Sequence, residues 1–442
     1  MNQRRGTATL WVLLLLGVVL AVLVLACDAG LIWNAQAELR ATADAVALAA
    51  AHAWAARLTP DGVHDGDEIR AVVEQEVTRY LAQAGRGLAS TFLPNPDHEP
   101  TGDLVFGFYE PTHGFVPARK QDLDSPWLNA VRITLRRDEH HGNVAGLVFG
   151  PLLGWSSAEV QASAVAVLER HIIGFQCTDG LPIPLVPLAI LSDPTGQTAD
   201  CWESQLAASN HTPQMHDEQG EPQATVSLRL PIQSSQAVGP QPSAAAAGQS
   251  QMGRTVRGNA CVLQVGTNSW AEIVRQTTTG VLPADLASAE FAGRFELDPQ
   301  SGFRWLPAWA AAPSLHEREL ADWLAALSGL KERQEVRIWP LFAAFLPEAP
   351  AESAVGNGSE APFQVAVHGF VAARILRIDL KTSVDPKQAG TYLELTLQPR
   401  VLVTRTAIAT APKRGQGDAD EAIQNPYLSQ PNPYLVRIKL AE

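Results

Sequence analysis

From Thr7 to Cys27 the chain runs 21 residues without a charged side chain. As a helix rising about 1.5 Å per residue, such a run covers about 30 Å, the thickness of a hydrocarbon core. Arg4 and Arg5 precede it, Asp28 closes it, and the next basic residue is Arg40. Basic residues favour the cytoplasmic side. The expectation is a single-pass anchor in the cytoplasmic (inner) membrane, N-terminus in, with the bulk of the chain extracytoplasmic. The run exceeds the roughly 7–15 residues of a signal-peptide core, which favours a retained anchor. A small-x-small pattern at Ala26-Cys27-Asp28 keeps cleavage open as the other reading, and "LVLACD" keeps a lipoprotein box open.

"ELRATADAVALAAAHAWAA", from Glu38 to Ala56, follows the span directly. Alanine is the best helix former yet buries little surface. Span and alanine run together predict one long rod that stands a domain off the membrane. Ala43, Ala47 and Ala51 share a face, with Ala50 beside them. Such a small-residue face lets another helix approach closely. The competing reading is that the alanines only keep an exposed helix helical.

The ordered set Arg4-Arg5-Gly6, apolar span, Asp28-Ala29-Gly30 and the Ala43-Asp44-Ala45 run resembles the N-terminal module of TadG-like proteins. These belong to the bacterial tight-adherence (Tad) system that assembles Flp pili. The resemblance covers about the first 57 residues and is diffuse beyond them. It implies a non-enzymatic, membrane-anchored component of pilus assembly, pseudopilin-like or accessory. It also implies contacts with other membrane or pilus-assembly proteins through the N-terminal helix. The sequence departs from the family at two places. Leu31 and Ile32 stand where many members carry an arginine close after the glycine. Trp11 stands five residues after Gly6, where cleaved substrates of the related TadE class carry a glutamate, and this favours an uncleaved anchor.

Beyond residue 57, Thr59-Pro60-Asp61-Gly62 reads as a stop and turn, and Glu68 to Leu81 as an amphipathic helix. "DLVFGFYE", "AVRITLRR", "VQASAVAVLERHIIGF", "TVSLRLPI" and "NACVLQVG" read as strands. "GLPIPLVPLAIL" reads as buried extended chain or an edge. Helical patterns return at Ser269–Thr277 and Glu317–Leu330. "FQVAVHGFVAARILRIDL" and "YLELTLQPRVLVTRTAIA" look like a long hairpin. The expected fold is α+β, a long N-terminal transmembrane, alanine-rich helix followed by a β-rich, mostly antiparallel extracytoplasmic domain. The expected division is 1–57 and 58–442, the second part splitting near 233–258 if it splits at all.

The chemistry of an enzyme is missing from the pattern, so none is expected, nor a cofactor or small-molecule substrate. "HEREL" at His316 has Leu320 where a zinc helix needs its second histidine. No Gly-x-Ser-x-Gly elbow and no phosphate-cradling loop occurs. "DLDSPW" at Asp122 fails as the start of an adhesion-type metal site. His140-His141 reads as a solvated turn rather than a metal site, because neighbours on a strand face opposite ways. The repeat Asn425-Pro426-Tyr427-Leu428 and Asn432-Pro433-Tyr434-Leu435 reads as two turns over the core, or as a partner-docking motif. The formal net charge of −13 argues against nucleic acid as a partner. Cys177 and Cys201 enclose about 25 residues, a loop that a disulfide would stabilise by about 3–4 kcal/mol. That pairing is favoured, with Cys201–Cys261 as the other choice. The alternative function is an exported binding or adhesion domain on a membrane stalk, unrelated to pili.

Overall fold

The computed structural model describes residues 5–59, 65–85, 88–193, 198–211, 215–216, 222–232, 258–266, 269–309, 317–343, 363–383, 390–410 and 430–441. The chain is α+β and forms two compact units. The first holds Met1–Arg57, Val63–Leu168 and Ile438–Glu442; the second holds Leu58–Gly62 and Glu169–Arg437. The main division therefore falls at Leu168/Glu169 rather than at 57/58. The cause is that the alanine-rich helix shares its buried face with the helix and strands that follow it.

The first unit opens with α1 (Arg5–Ala55), a single helix of 51 residues. Its outer half is bare: Trp11, Leu15, Leu20 and Leu25 are all more than half exposed. Its inner half is buried along Leu39, Ala43, Val46, Ala47, Ala50, Ala51, Trp54 and Ala55, each at most 1% exposed. α2 (Gly66–Ala84) buries Ile69, Val73, Val77 and Leu81, a stripe at four-residue spacing, and packs on α1. The Asp65 carboxylate caps it by accepting from the Asp67 and Glu68 amides at 2.9 and 3.2 Å. Gly66 is required there, since a Cβ would lie 2.6 Å from the Leu123 Cβ.

The strands β1 (Leu104–Glu110), β2 (Gly114–Pro117) and β3 (Ala130–Arg137) follow. Two short strands, β4 (Ala145–Gly146) and β5 (Ser157–Ala158), form a small ribbon before β6 (Val160–Glu169). The main sheet is antiparallel in the order β2-β1-β3-β6, with Gly107 opposite Ala130 and Ala130 opposite Val167. α1 packs against β3 as well as α2. The Ala441 amide donates to the Val165 carbonyl at 2.8 Å, so the chain's last residues close the β6 edge.

The second unit contains α3 (Trp202–His211), α4 (Trp270–Thr279) and α5 (Glu317–Glu332). Its strands are β7 (Ile172–Gln176), β8 (Leu188–Ser192), β9 (Met215–His216), β10 (Pro222–Gln223), β11 (Val226–Ile232) and β12 (Ala260–Leu263). They continue with β13 (Arg294–Glu296), β14 (Arg304–Trp309), β15 (Arg337–Ala343), β16 (Phe363–Ser383), β17 (Gly390–Pro399), β18 (Leu402–Val403) and β19 (Ala407–Ala409). β20 (Leu435–Leu440) starts parallel to β18. The large sheet runs β11-β17-β16-β14-β12-β8-β15 and closes on itself, because β15 pairs with β8 on one side and with β16 on the other. The ring β16-β14-β12-β8-β15 thereby has no free edge, whereas β11 lies at the end of the sheet, paired with β17. The expected hairpin exists as β16 with β17, but Tyr392–Ala409 breaks into β17, β18 and β19 rather than one strand. The proline-rich segment ends in β8, a central strand held by β12 and β15.

No disulfide joins Cys177 to Cys201; all four cysteines are free thiols. The Cys177 Sγ donates to the Val281 carbonyl at 3.5 Å, whereas the Cys201 Sγ lies 2.7 Å from the Ser204 Oγ. Burial pushes the Cys177 and Cys261 thiols up, which makes both poor nucleophiles. The proline-rich segment is held instead by bonds such as Ile183 with Val281 in both directions, at 2.9 Å each.

Candidate functional site

The residues singled out from the sequence fall along α1, and the structure treats its two halves differently. Ala43, Ala47, Ala50 and Ala51 are all 0% exposed. Their face is covered within the first unit, by α2 and β3, so it is not left open to a partner's helix. Small side chains serve there by letting two elements of the same chain sit close to α1. The larger residues on the face then provide the burial. Trp54 meets the Phe106 ring edge-on at 5.2 Å, a pairing worth about 0.5–1.5 kcal/mol beyond the area buried.

The expected consequence of Ala47→Leu changes accordingly. Three added heavy atoms at a fully buried point overpack the α1 interface, so the first unit should lose about 1–3 kcal/mol. Chemical denaturation of the full chain in detergent, followed by exchange of α1 and α2 amides, measures it. Unchanged protection in α1 and α2 together with impaired assembly would instead put the alanine face in contact with another protein.

Of the remaining motif residues, Arg4 lies outside the described residues, and Arg5 and Gly6 stand at the start of α1. Gly30 is exposed with open space around it, and Asp44 is half-buried. Asp28 does more. It is 8% exposed, and its carboxylate accepts from the Val148 amide at 3.0 Å and the Phe149 amide at 3.2 Å. Hydrogen bonds to a charged acceptor are the stronger kind. Asp28 thus fastens the loop between β4 and β5 to α1 at the residue where the uncharged span ends.

The sequence reading missed a second polar feature. His141 is not a solvated residue: its side chain is 3% exposed, with Nδ1 2.6 Å from the Asp138 Oδ1 and Nε2 2.9 Å from the Asp103 Oδ2. Arg136 lies on the other oxygen of Asp103 at 3.1 Å. Burial opposes the imidazolium charge, but the bonds to Asp103 and Asp138 prevail and hold His141 above its ordinary value. Asp138 is also desolvated, yet its bonds to His141 keep it below the usual carboxylate range. Both ring nitrogens face carboxylates, so the group is an ion-paired clamp between the β1 start and the β3 end. The only hint in the sequence was acidic residues flanking the two histidines. Their partner Asp103 lies 38 positions away.

The second Asn-Pro-Tyr-Leu copy is part of the core. Tyr434 is 7% exposed and its hydroxyl accepts from the Trp202 indole at 3.1 Å, while Asn432 accepts from the Tyr434 and Leu435 amides. This is the turn reading, not the docking one. The first copy and His316 lie outside the described residues.

Residues 27–166 match the family model for Tad-like Flp pilus-assembly proteins. No curated protein and no solved structure matches the chain. The match starts at the end of the bare apolar half of α1 and ends within β6, so it takes in the buried half of α1, α2, the Asp28-bound loop and the sheet. It reaches well past residue 57, where the sequence resemblance faded, and leaves most of the second unit unmatched. The segment from Cys27 to Ala166 is therefore similar to the Tad-like Flp pilus-assembly family, a match that covers about a third of the chain and supports a Tad-family protein.

Proposed function

We propose that the protein is a non-enzymatic, membrane-anchored component of a Tad/Flp pilus machine, pseudopilin-like or accessory. In this reading α1 holds it in the cytoplasmic membrane and both units stand on the outer side. One observation carries the reading: the pilus-assembly match covers the folded part of a unit whose spine is one helix, and it begins where the bare, apolar half of that helix ends. A helix of that kind can be held in lipid by one end while the other carries a folded body. Contacts with other pilus-assembly proteins then fall on the bare half of α1 and on the outer surface of the first unit, because the alanine face is already covered.

The test is deletion of the gene in cells that make Flp pili. Piliation should fall, and be restored by the full chain but not by one whose residues 7–27 are replaced by a cleavable signal. Undiminished pili in the deletion strain would overturn the proposal. If attachment to surfaces fell while pilus number held, the stalked adhesion domain would be the better reading.

A further inference from the structure

From the loop between β4 and β5, we infer that the first unit also rests on the outer face of the bilayer its α1 helix crosses, with Trp155 and Val148 seated among the lipid headgroups. The inference rests on the anchor reading above and adds a second lipid contact to it.

The sequence from Ala145 to Ala158, "AGLVFGPLLGWSSA", holds no charged residue in 14 positions. In a soluble surface loop, such a run with exposed large apolar residues is unusual. Val148 is 64% exposed and Trp155 is 66% exposed. The loop is nevertheless well built. Ala145 pairs with Ala158 and Gly146 with Ser157, and the Trp155 amide donates to the Gly150 carbonyl at 2.9 Å. At Gly150 a Cβ would lie 2.2 Å from the Trp155 carbonyl oxygen, so the close turn that presents Trp155 needs glycine there.

What fixes the loop's height is Asp28. Its carboxylate binds the Val148 and Phe149 amides directly. Asp28 is the first charged residue after the uncharged span, so the loop tip sits level with the end of that span. Past that level α1 stays uncharged: no charge appears again until Glu38, and Trp33 is 78% exposed. Five residues of helix place Trp33 about 7.5 Å past Asp28, at the outer limit of a headgroup layer about 5–7.5 Å deep. Tryptophans on two separate elements, at the depth where aromatic belts form, match a membrane interface. Continuity with the lipid-facing span identifies the occupant as the same bilayer. The binding needs no anionic lipid, since the loop carries no basic residue.

The test places a nitroxide on Trp155→Cys in the full chain, with Cys27→Ala and Cys177→Ala, reconstituted in phosphatidylcholine vesicles. Cys201 and Cys261 are 0% exposed and stay unlabelled. Leu20→Cys reports the span and His113→Cys the aqueous surface. Accessibility of the Trp155 label to oxygen relative to a water-soluble chelate should be several-fold above that at His113 and below that at Leu20. Val148→Cys should give the same result, and serves if the Trp155 variant does not fold. An aqueous Trp155 label with a lipid-exposed Leu20 label would overturn this inference alone. An aqueous Leu20 label would overturn the anchor reading and this inference with it. Dipolar broadening between Trp155 labels would put a second copy on the loop and also overturn it.

Discussion

Trp54→Ala is expected to cost the first unit about 3–5 kcal/mol, the range for deleting a buried aromatic side chain. Trp54 is 1% exposed and its ring meets Phe106 edge-on at 88°. Alanine is the better helix former, so the loss cannot come from α1 as an isolated helix. It must come from the seam between α1 and the sheet. Hydrogen exchange on the full chain in detergent should show amides of residues 39–55 and 104–110 opening roughly a hundredfold or more faster. The β16 and β17 amides, in the other unit, should not change. Uniform acceleration across both units would contradict the division at residue 168, and no acceleration would mean that α1 is not seated on its sheet.

The His141 clamp gives the second large effect. Removing the imidazole by His141→Ala leaves Asp103 and Asp138 desolvated without their shared partner, although Arg136 still neutralises part of the Asp103 charge. Breaking charge-assisted bonds in such surroundings costs about 2–3 kcal/mol. The pH dependence follows from the two shifts. His141 is held above its ordinary value, so its contribution is complete below about pH 6.5 and lost as pH rises through the folded-state value. Asp138 is held below its ordinary value, so its contribution is present above about pH 4 and lost as pH falls through its lowered value. The difference in unfolding free energy between wild type and His141→Ala should therefore be largest between about pH 4 and 6.5 and shrink toward pH 9. A difference that stayed constant from pH 5 to pH 9 would mean that the ring acts by packing alone.

Much of the first unit could be read from the chain because its signals are local. The uncharged run, the alanine helix, the α2 stripe and the alternation of "AVRITLRR" each specify an element without reference to the rest. What covers the alanine face was not legible. A stripe of small residues says that something comes close, but not whether it belongs to the same chain. The partners of Asp28 and His141 were hidden for the same reason, lying 120 and 38 positions away. In the second unit, β14 and β15 escaped because each carries an internal proline, Pro307 and Pro340, and proline argues against a strand interior. The same rule left the proline-rich segment as buried extended chain or an edge; it is buried extended chain that ends in a central strand. The disulfide expectation rested on loop entropy and on a proline-rich stretch short of backbone hydrogen bonds; the separate niches in which the two thiols sit are not written in the local sequence.

The reading as a whole turns on which side of the membrane the folded units occupy. His113 offers a direct probe, with a side chain 72% exposed on the first unit. In a Cys27→Ala, Cys177→Ala background, His113→Cys should react with a membrane-impermeant maleimide in cells whose outer layer is permeabilised and whose cytoplasmic membrane is intact. Labelling should not rise further on lysis. Reaction only after the cytoplasmic membrane is broken would place the units inside and contradict the account.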